Sequence, residues 1–115
     1  MSAGGCVQVL TTTDSGEEAA RLVRSAVEAR LAACGQVVGP ISSTYWWNGA
    51  VETATEWQCL LKTTTARLDD LRAHLESEHG YETPEIIATP IVGGSAAYLA
   101  WIAREVAPTG PQLDH

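Results

Sequence analysis

At 115 residues, with 45% hydrophobic side chains and a formal net charge of -7, the chain has room for one domain and one core. That hydrophobic content excludes a disordered polymer, no apolar run reaches the length of a membrane span, and seven basic against fourteen acidic side chains repel nucleic-acid phosphate. Cys6, Cys34 and Cys59 are odd in number and widely spaced, and Met1-Ser2-Ala3-Gly4-Gly5 lacks the regions of a secretory leader, so a reducing cytoplasm is expected.

The first apolar run, Cys6 to Leu10, has strand length and ends in Thr11-Thr12-Thr13. Ser15 followed three residues later by Glu18 fits a capping box, so a helix should begin at Gly16. Ala19, Leu22, Val23, Ala26, Val27 and Arg30 share one helical face, and Cys34-Gly35 is expected to close the helix. Two long β segments follow, Gln36 to Trp47 and Ala50 to Thr63, around Asn48-Gly49, a dipeptide suited to a type I′ hairpin turn. Thr64 or Thr65 can cap a second helix bearing Leu68, Leu71 and Leu75. Pro84 disfavours helix at Thr83, so that helix should end near Gly80 and a fourth strand should start near Glu85, carrying Ile86, Ile87, Ala88, Ile91 and Val92. Gly93-Gly94-Ser95 then leads into a third helix through Val106, and 107–115, with Pro108, Gly110 and Pro111, reads as a loose tail.

The order β-α-β-β-α-β-α is that of an α+β, ferredoxin-like split βαβ sandwich with an extra C-terminal helix, one domain over residues 6–106. Tyr45 and Trp47 point to one side of the hairpin and Trp46 to the other, while Trp57, Cys59 and Leu61 alternate with Gln58, Leu60 and Lys62. Both sheet faces therefore carry apolar groups, and helices of one domain cover one face. A homo-oligomer is expected, with Tyr45, Trp46 and Trp57 as interface anchors.

The densest chemistry lies in His79-Gly80-Tyr81-Glu82-Thr83-Pro84-Glu85, at the helix-to-strand crossover. His79 with Glu82 and Glu85 could hold a divalent cation such as copper or zinc. The alternative is that His79 bonds at the helix end and orients Tyr81, which is preferred because a lone histidine is seldom a complete metal site. Trp47, Glu56, Lys62 and Tyr81 could line a small-molecule cleft between subunits, against a structural reading in which a buried salt bridge of Lys62 with Glu85 or Glu56 fixes the interface. No nucleophile elbow, P-loop or dinucleotide fingerprint is present, so no enzyme is expected. Cys34 and Cys59 read as packing residues, and His115, in the tail, as incidental.

Six pieces in order carry a family likeness: Val9-Leu10-Thr11-Thr12, Arg30-Leu31-Ala32-Ala33-Cys34, Tyr45-Trp46-Trp47-Asn48-Gly49, Leu61-Lys62-Thr63, His79 to Ile86, and Tyr98-Leu99-Ala100-Trp101-Ile102. On these the chain resembles the CutA family of divalent-cation-tolerance proteins, from Val7 to Val106. The resemblance implies a homotrimer of ferredoxin-like subunits, related in shape to PII signalling proteins, with a role in tolerance of or response to divalent metal ions and weak copper binding. The rival it suggests is a PII-like sensor of a small metabolite, or a trimeric scaffold, with no direct metal role. The chain departs from its relatives at Gly80, where most carry Pro, and at Asp14, where Pro is usual. It has Thr11 and Glu78 where some carry the Cys and His proposed as copper ligands.

Overall fold

The computed structural model describes residues 5–108. The tail beyond Pro108, including His115, lies outside the described residues. Four strands, β1 (Cys6–Thr13), β2 (Cys34–Trp47), β3 (Ala50–Thr64) and β4 (Ile86–Ile91), form one sheet in the order β2-β3-β1-β4. Every neighbouring pair is antiparallel. Helices α1 (Gly16–Glu28), α2 (Leu68–Glu78) and α3 (Ala96–Val106) complete the β-α-β-β-α-β-α sequence.

The alternation of side chains divides the strands between two layers. Val7, Val9, Thr11 and Thr13 lie opposite Thr63, Leu61, Cys59 and Trp57 on one face. That face buries Ala19, Leu22 and Ala26 of α1 and Leu71 and Leu75 of α2, all fully inaccessible. The expected apolar faces of both helices are thus the packed ones, while Arg21 and Arg24 are exposed. Each buried leucine contributes roughly 1.5–3 kcal/mol relative to exposure.

Across the sheet, the opposite face carries Cys6, Gln8, Leu10 and Thr12 against Thr64, Lys62, Leu60 and Gln58. Helix α3 meets this face at one end, where Cys6 Sγ lies 3.9 Å from Leu99 O and Cys34 Sγ lies 3.4 Å from Tyr98 Oη. Beyond α3 the face is open, with Ile87 51% exposed and Leu10 and Leu60 half-buried.

Several boundaries differ from the sequence expectation. Helix α1 stops at Glu28, not at Cys34-Gly35, because Arg30 turns to φ 63 and the backbone N–H groups of Leu31 and Ala32 return to Ala26 O. Arg30 is therefore outside the helical face, and Cys34 opens β2. The second helix is preceded by a short 3-10 turn over Thr65–Arg67, with neither Thr64 nor Thr65 capping it through its side chain. Val92 lies past β4 and is 95% exposed. Pro90 fits β4 because that strand is an edge, where a missing N–H costs no ladder bond.

Strands β2 and β3 run on past the end of β1 as a two-stranded ribbon, paired from Ile41↔Glu56 to Trp47↔Ala50. Asn48 at φ 51 and Gly49 at φ 80 close it as a type I′ turn requires. A bulge between Val38 and Ile41 marks where the ribbon leaves the sheet. Gly39 sits at φ 156 in this bulge, and a Cβ there would fall 2.6 Å from Trp57 Cδ1, so the indole occupies the space a side chain would need. The ribbon accounts for an elongated molecule of 51 × 31 × 21 Å.

Candidate functional site

Helix α2 is clamped where it ends. Arg21 of α1 donates to Glu78 Oε1 at 2.9 Å and to Glu78 O at 2.6 Å, while Glu18 holds the same guanidinium from the other side at 2.6 Å. The arginine holds the Glu18 carboxyl below its ordinary range, chiefly through that hydrogen bond. One turn back, Ser25 Oγ and His74 Nε2 meet at 2.7 Å. These contacts fix the point from which the crossover departs.

His79 caps α2 in extended geometry (φ -75, ψ 144) and turns its ring toward β1. Its Nδ1 accepts the Tyr81 backbone N–H at 3.0 Å, which leaves Nε2 to carry the proton and donate to Thr11 Oγ1 at 3.0 Å. Burial lowers the imidazole pKa, outweighing the backbone bond to Thr12 and the charges of Glu18 and Asp14, which act the other way. The neutral ring is thus a structural connector between helix end, strand and loop. It also places Tyr81, whose ring centroid lies 5.1 Å from its own.

Tyr81 reaches over the end of β1 and donates its hydroxyl to Glu56 Oε2 at 2.7 Å. Burial raises the phenol pKa further above its ordinary value, and the hydrogen bond to Glu56 adds to the effect. The phenol stays protonated and acts as a donor to a carboxylate whose residue is only 9% exposed. Thr11, His79, Tyr81 and Glu56 form one connected polar chain at the end of the sheet.

The other expected residues fall elsewhere. Glu82 and Glu85 are exposed on the crossover, and among the described residues no three His, Cys, Asp or Glu side chains converge as a cation set. His79 has both ring nitrogens engaged, so with Glu82 and Glu85 it does not fit a preformed divalent-cation centre in the single chain. Within one chain Lys62 meets neither Glu85 nor Glu56: its Nζ rests 3.4 Å from Gln36 Oε1, and Glu56 stands six residues away along the same strand. Trp47 is 59% exposed on the hairpin, apart from Tyr81 and Glu56, and Trp46 and Tyr45 are exposed beside it at 74% and 39%. Trp57 packs inside its own subunit against Ala19, Leu22 and Cys59. Thr11 went unnoticed as a partner of His79, since the two lie 68 residues apart; its place on the helix-facing side of β1 was the available signal.

The family model described as CutA1 divalent ion tolerance protein matches residues 7–105. The chain belongs to this family. It is 41% identical over 96 residues to the chloroplastic protein CutA 1 of Oryza sativa subsp. japonica, covering 84% of this chain and 54% of that one. Over 96 residues it is 38% identical to the divalent-cation tolerance protein CutA of Pectobacterium atrosepticum, covering 84% and 87% respectively. The crystal structure of CutA1 from Oryza sativa superposes with a TM-score of 0.88 at 37% identity, covering 94% of this chain and all of that one. The CutA chain described here therefore spans about half the length of its plant relatives and most of its bacterial ones. Among the described residues no helix is long and apolar enough to cross a membrane.

Proposed function

We propose that this CutA protein serves tolerance of, or response to, divalent metal ions as a non-enzymatic homotrimer. The observation that carries the reading is the family match over 7–105, with relatives named for divalent-cation tolerance. A trimer is supported by the open sheet face and by the aromatic ribbon, since a two-stranded ribbon alone is marginal in water. The non-enzymatic reading is supported by the crossover, whose imidazole is spent on holding Thr11 and Tyr81. A cytoplasmic setting is supported by the three free thiols Cys6, Cys34 and Cys59.

Binding of copper or zinc at His79 with Glu82 and Glu85 is weak in this reading, because a metal must displace a hydrogen bond already made. Calorimetric titration of Cu(II) and Zn(II) into wild type and His79→Ala tests it. A small binding heat that disappears in the variant is expected, whereas unchanged affinity removes the site. One observation favours a second reading, a PII-like site for a small metabolite: the Tyr81–Glu56 pair is preformed and lies on the face expected between subunits. A thermal-shift screen of nucleotides and small acids, repeated with Lys62→Ala, separates the two.

A further inference from the structure

The thiols of the chain stand in unlike surroundings. Cys59 is fully buried on the helix-facing side of β3, where it donates to Ala19 O at 3.5 Å and burial pushes it up to about 11. Cys6 is buried too, and burial raises its thiol as well. Cys34 is half-buried and opens the edge strand β2, so it lies at a corner of the sheet.

Two polar groups from other elements meet Cys34 there. Its Sγ lies 3.4 Å from Tyr98 Oη of α3, and Lys62 of β3 stands directly opposite it in the antiparallel register. Residues so paired share a face and hold their Cβ atoms about 4.5–5.5 Å apart. The Lys62 Nζ rests 3.4 Å from Gln36 Oε1, on the next β2 residue of that face, and rotation of its flexible stem carries it to the sulfur. Lys62 is the only lysine, and among the described residues no carboxylate pairs with it, whereas every arginine has one. When the sulfur ionises to its nucleophilic form, an ammonium and a hydroxyl donor stand beside the anion. The hydrogen bond to Cys34 raises the pKa of Tyr98, so the phenol keeps its proton and remains the donor.

We propose that Cys34 is a modification site for hydroperoxides, its oxidised sulfur being captured by Lys62 as a sulfur–nitrogen bridge between β2 and β3. The Cys34 thiolate attacks one oxygen of hydrogen peroxide, so that the S–O bond forms as the O–O bond breaks. The departing hydroxide takes a proton from the Lys62 ammonium and leaves as water. Sulfur has lost two electrons to the peroxide, and a neutral amine now faces a sulfenic acid. The amine nitrogen attacks the sulfur, the hydroxyl leaves with one amine proton as a second water, and a sulfenamide joins the strands. Two thiols reopen it: the first displaces the amine as a mixed disulfide, and the second frees Cys34. No other thiol of the same chain competes. Cys59 faces the helices, and Cys6 lies two strands away at about 10 Å or more, where a disulfide needs Cα atoms within about 7 Å.

The test treats purified protein, in its native oligomeric state, with hydrogen peroxide and follows it by intact-mass spectrometry and peptide mapping. A chain lighter by about 2 Da is expected, with the Cys34 and Lys62 peptides joined and then parted by dithiothreitol. Lys62→Arg keeps a cation and removes the amine. The bridge should vanish in it, and dimedone, which labels sulfenic acid, should mark Cys34 more strongly than in wild type. Cys34→Ser should abolish both signals, and Tyr98→Phe, with circular dichroism unchanged, should slow the oxidation. Dimedone labelling spread evenly over the three cysteines, or confined to Cys6 or Cys59, overturns the site. A Cys34 that oxidises without joining Lys62, including one that enters a disulfide, overturns the capture step. A rate unchanged by Tyr98→Phe removes the phenol from it.

Discussion

His79 illustrates how a titratable side chain can be committed to architecture. Its Nδ1 accepts a backbone N–H from Tyr81, and protonation of that nitrogen would replace an acceptor with a donor facing a donor. Burial and this bond both favour the neutral ring, consistent with its lowered pKa. The folded state therefore binds fewer protons than the unfolded chain as pH falls below 6.5, the ordinary value of the ring. The contribution of His79 to stability should be complete above pH 6.5 and should decline below it, as pH falls toward the lowered folded-state pKa. An NMR titration of the ring protons should place its midpoint below 6.5, and His79→Asn should flatten that part of the acid unfolding profile. A midpoint above 6.5 would contradict the hydrogen-bond assignment. Cys59 tells a parallel story in the core, where burial pushes its thiol up to about 11 and keeps it unreactive.

Among the elements, α1 was legible at its start and not at its end. Ser15 accepts the Glu18 backbone N–H at 3.0 Å, the contact its spacing implied. Ser15→Ala should cost about 1 kcal/mol, read from denaturant unfolding with an unchanged m-value. A loss within error would mean that Thr13 Oγ1, which donates to Ser15 O at 2.8 Å, already fixes this turn. The C-terminal end escaped because no glycine marks it: Arg30 takes the left-handed conformation that glycine usually supplies. Its cost is offset by an ion pair to Glu105 at 2.6 Å and by Arg67, which donates to Arg30 O at 3.4 Å. Those partners come from α3 and from the turn before α2, so local sequence could not reveal them. The hairpin was the opposite case, because Asn48-Gly49 carries its own turn geometry.

For the whole molecule, the chief consequence is an unequal sheet. One face is sealed by α1 and α2, while the other keeps Leu10, Leu60 and Ile87 in reach of a partner. Leu60→Glu should therefore leave the subunit folded, since the residue lies outside the sealed core, but shift light-scattering mass toward monomer. Retained trimer at micromolar concentration would place the interface elsewhere. The aromatic ribbon is the second exposed feature, with Trp46 74% and Trp47 59% accessible. A subunit with a radius of gyration of 15.4 Å is wider than the roughly 13 Å of a compact chain of about this size, as a protruding ribbon requires.

Taken alone, the sequence determined the element order, the hairpin turn, the capped start of α1 and which faces of α1 and α2 are buried. These depend on residues a few positions apart, through periodicity, capping and turn chemistry. It also located the crossover from His79 to Glu85 and carried the reading in which His79 orients Tyr81. Only the tertiary structure decided what those groups meet. Thr11 and Glu56 are brought to the crossover by strand pairing and by a loop passing over the end of β1, contacts 68 and 25 residues apart along the chain. The same long-range geometry left Lys62 without a carboxylate among the described residues, because alternation along one strand fixes its face while its distance from Glu56 forbids their meeting within one subunit.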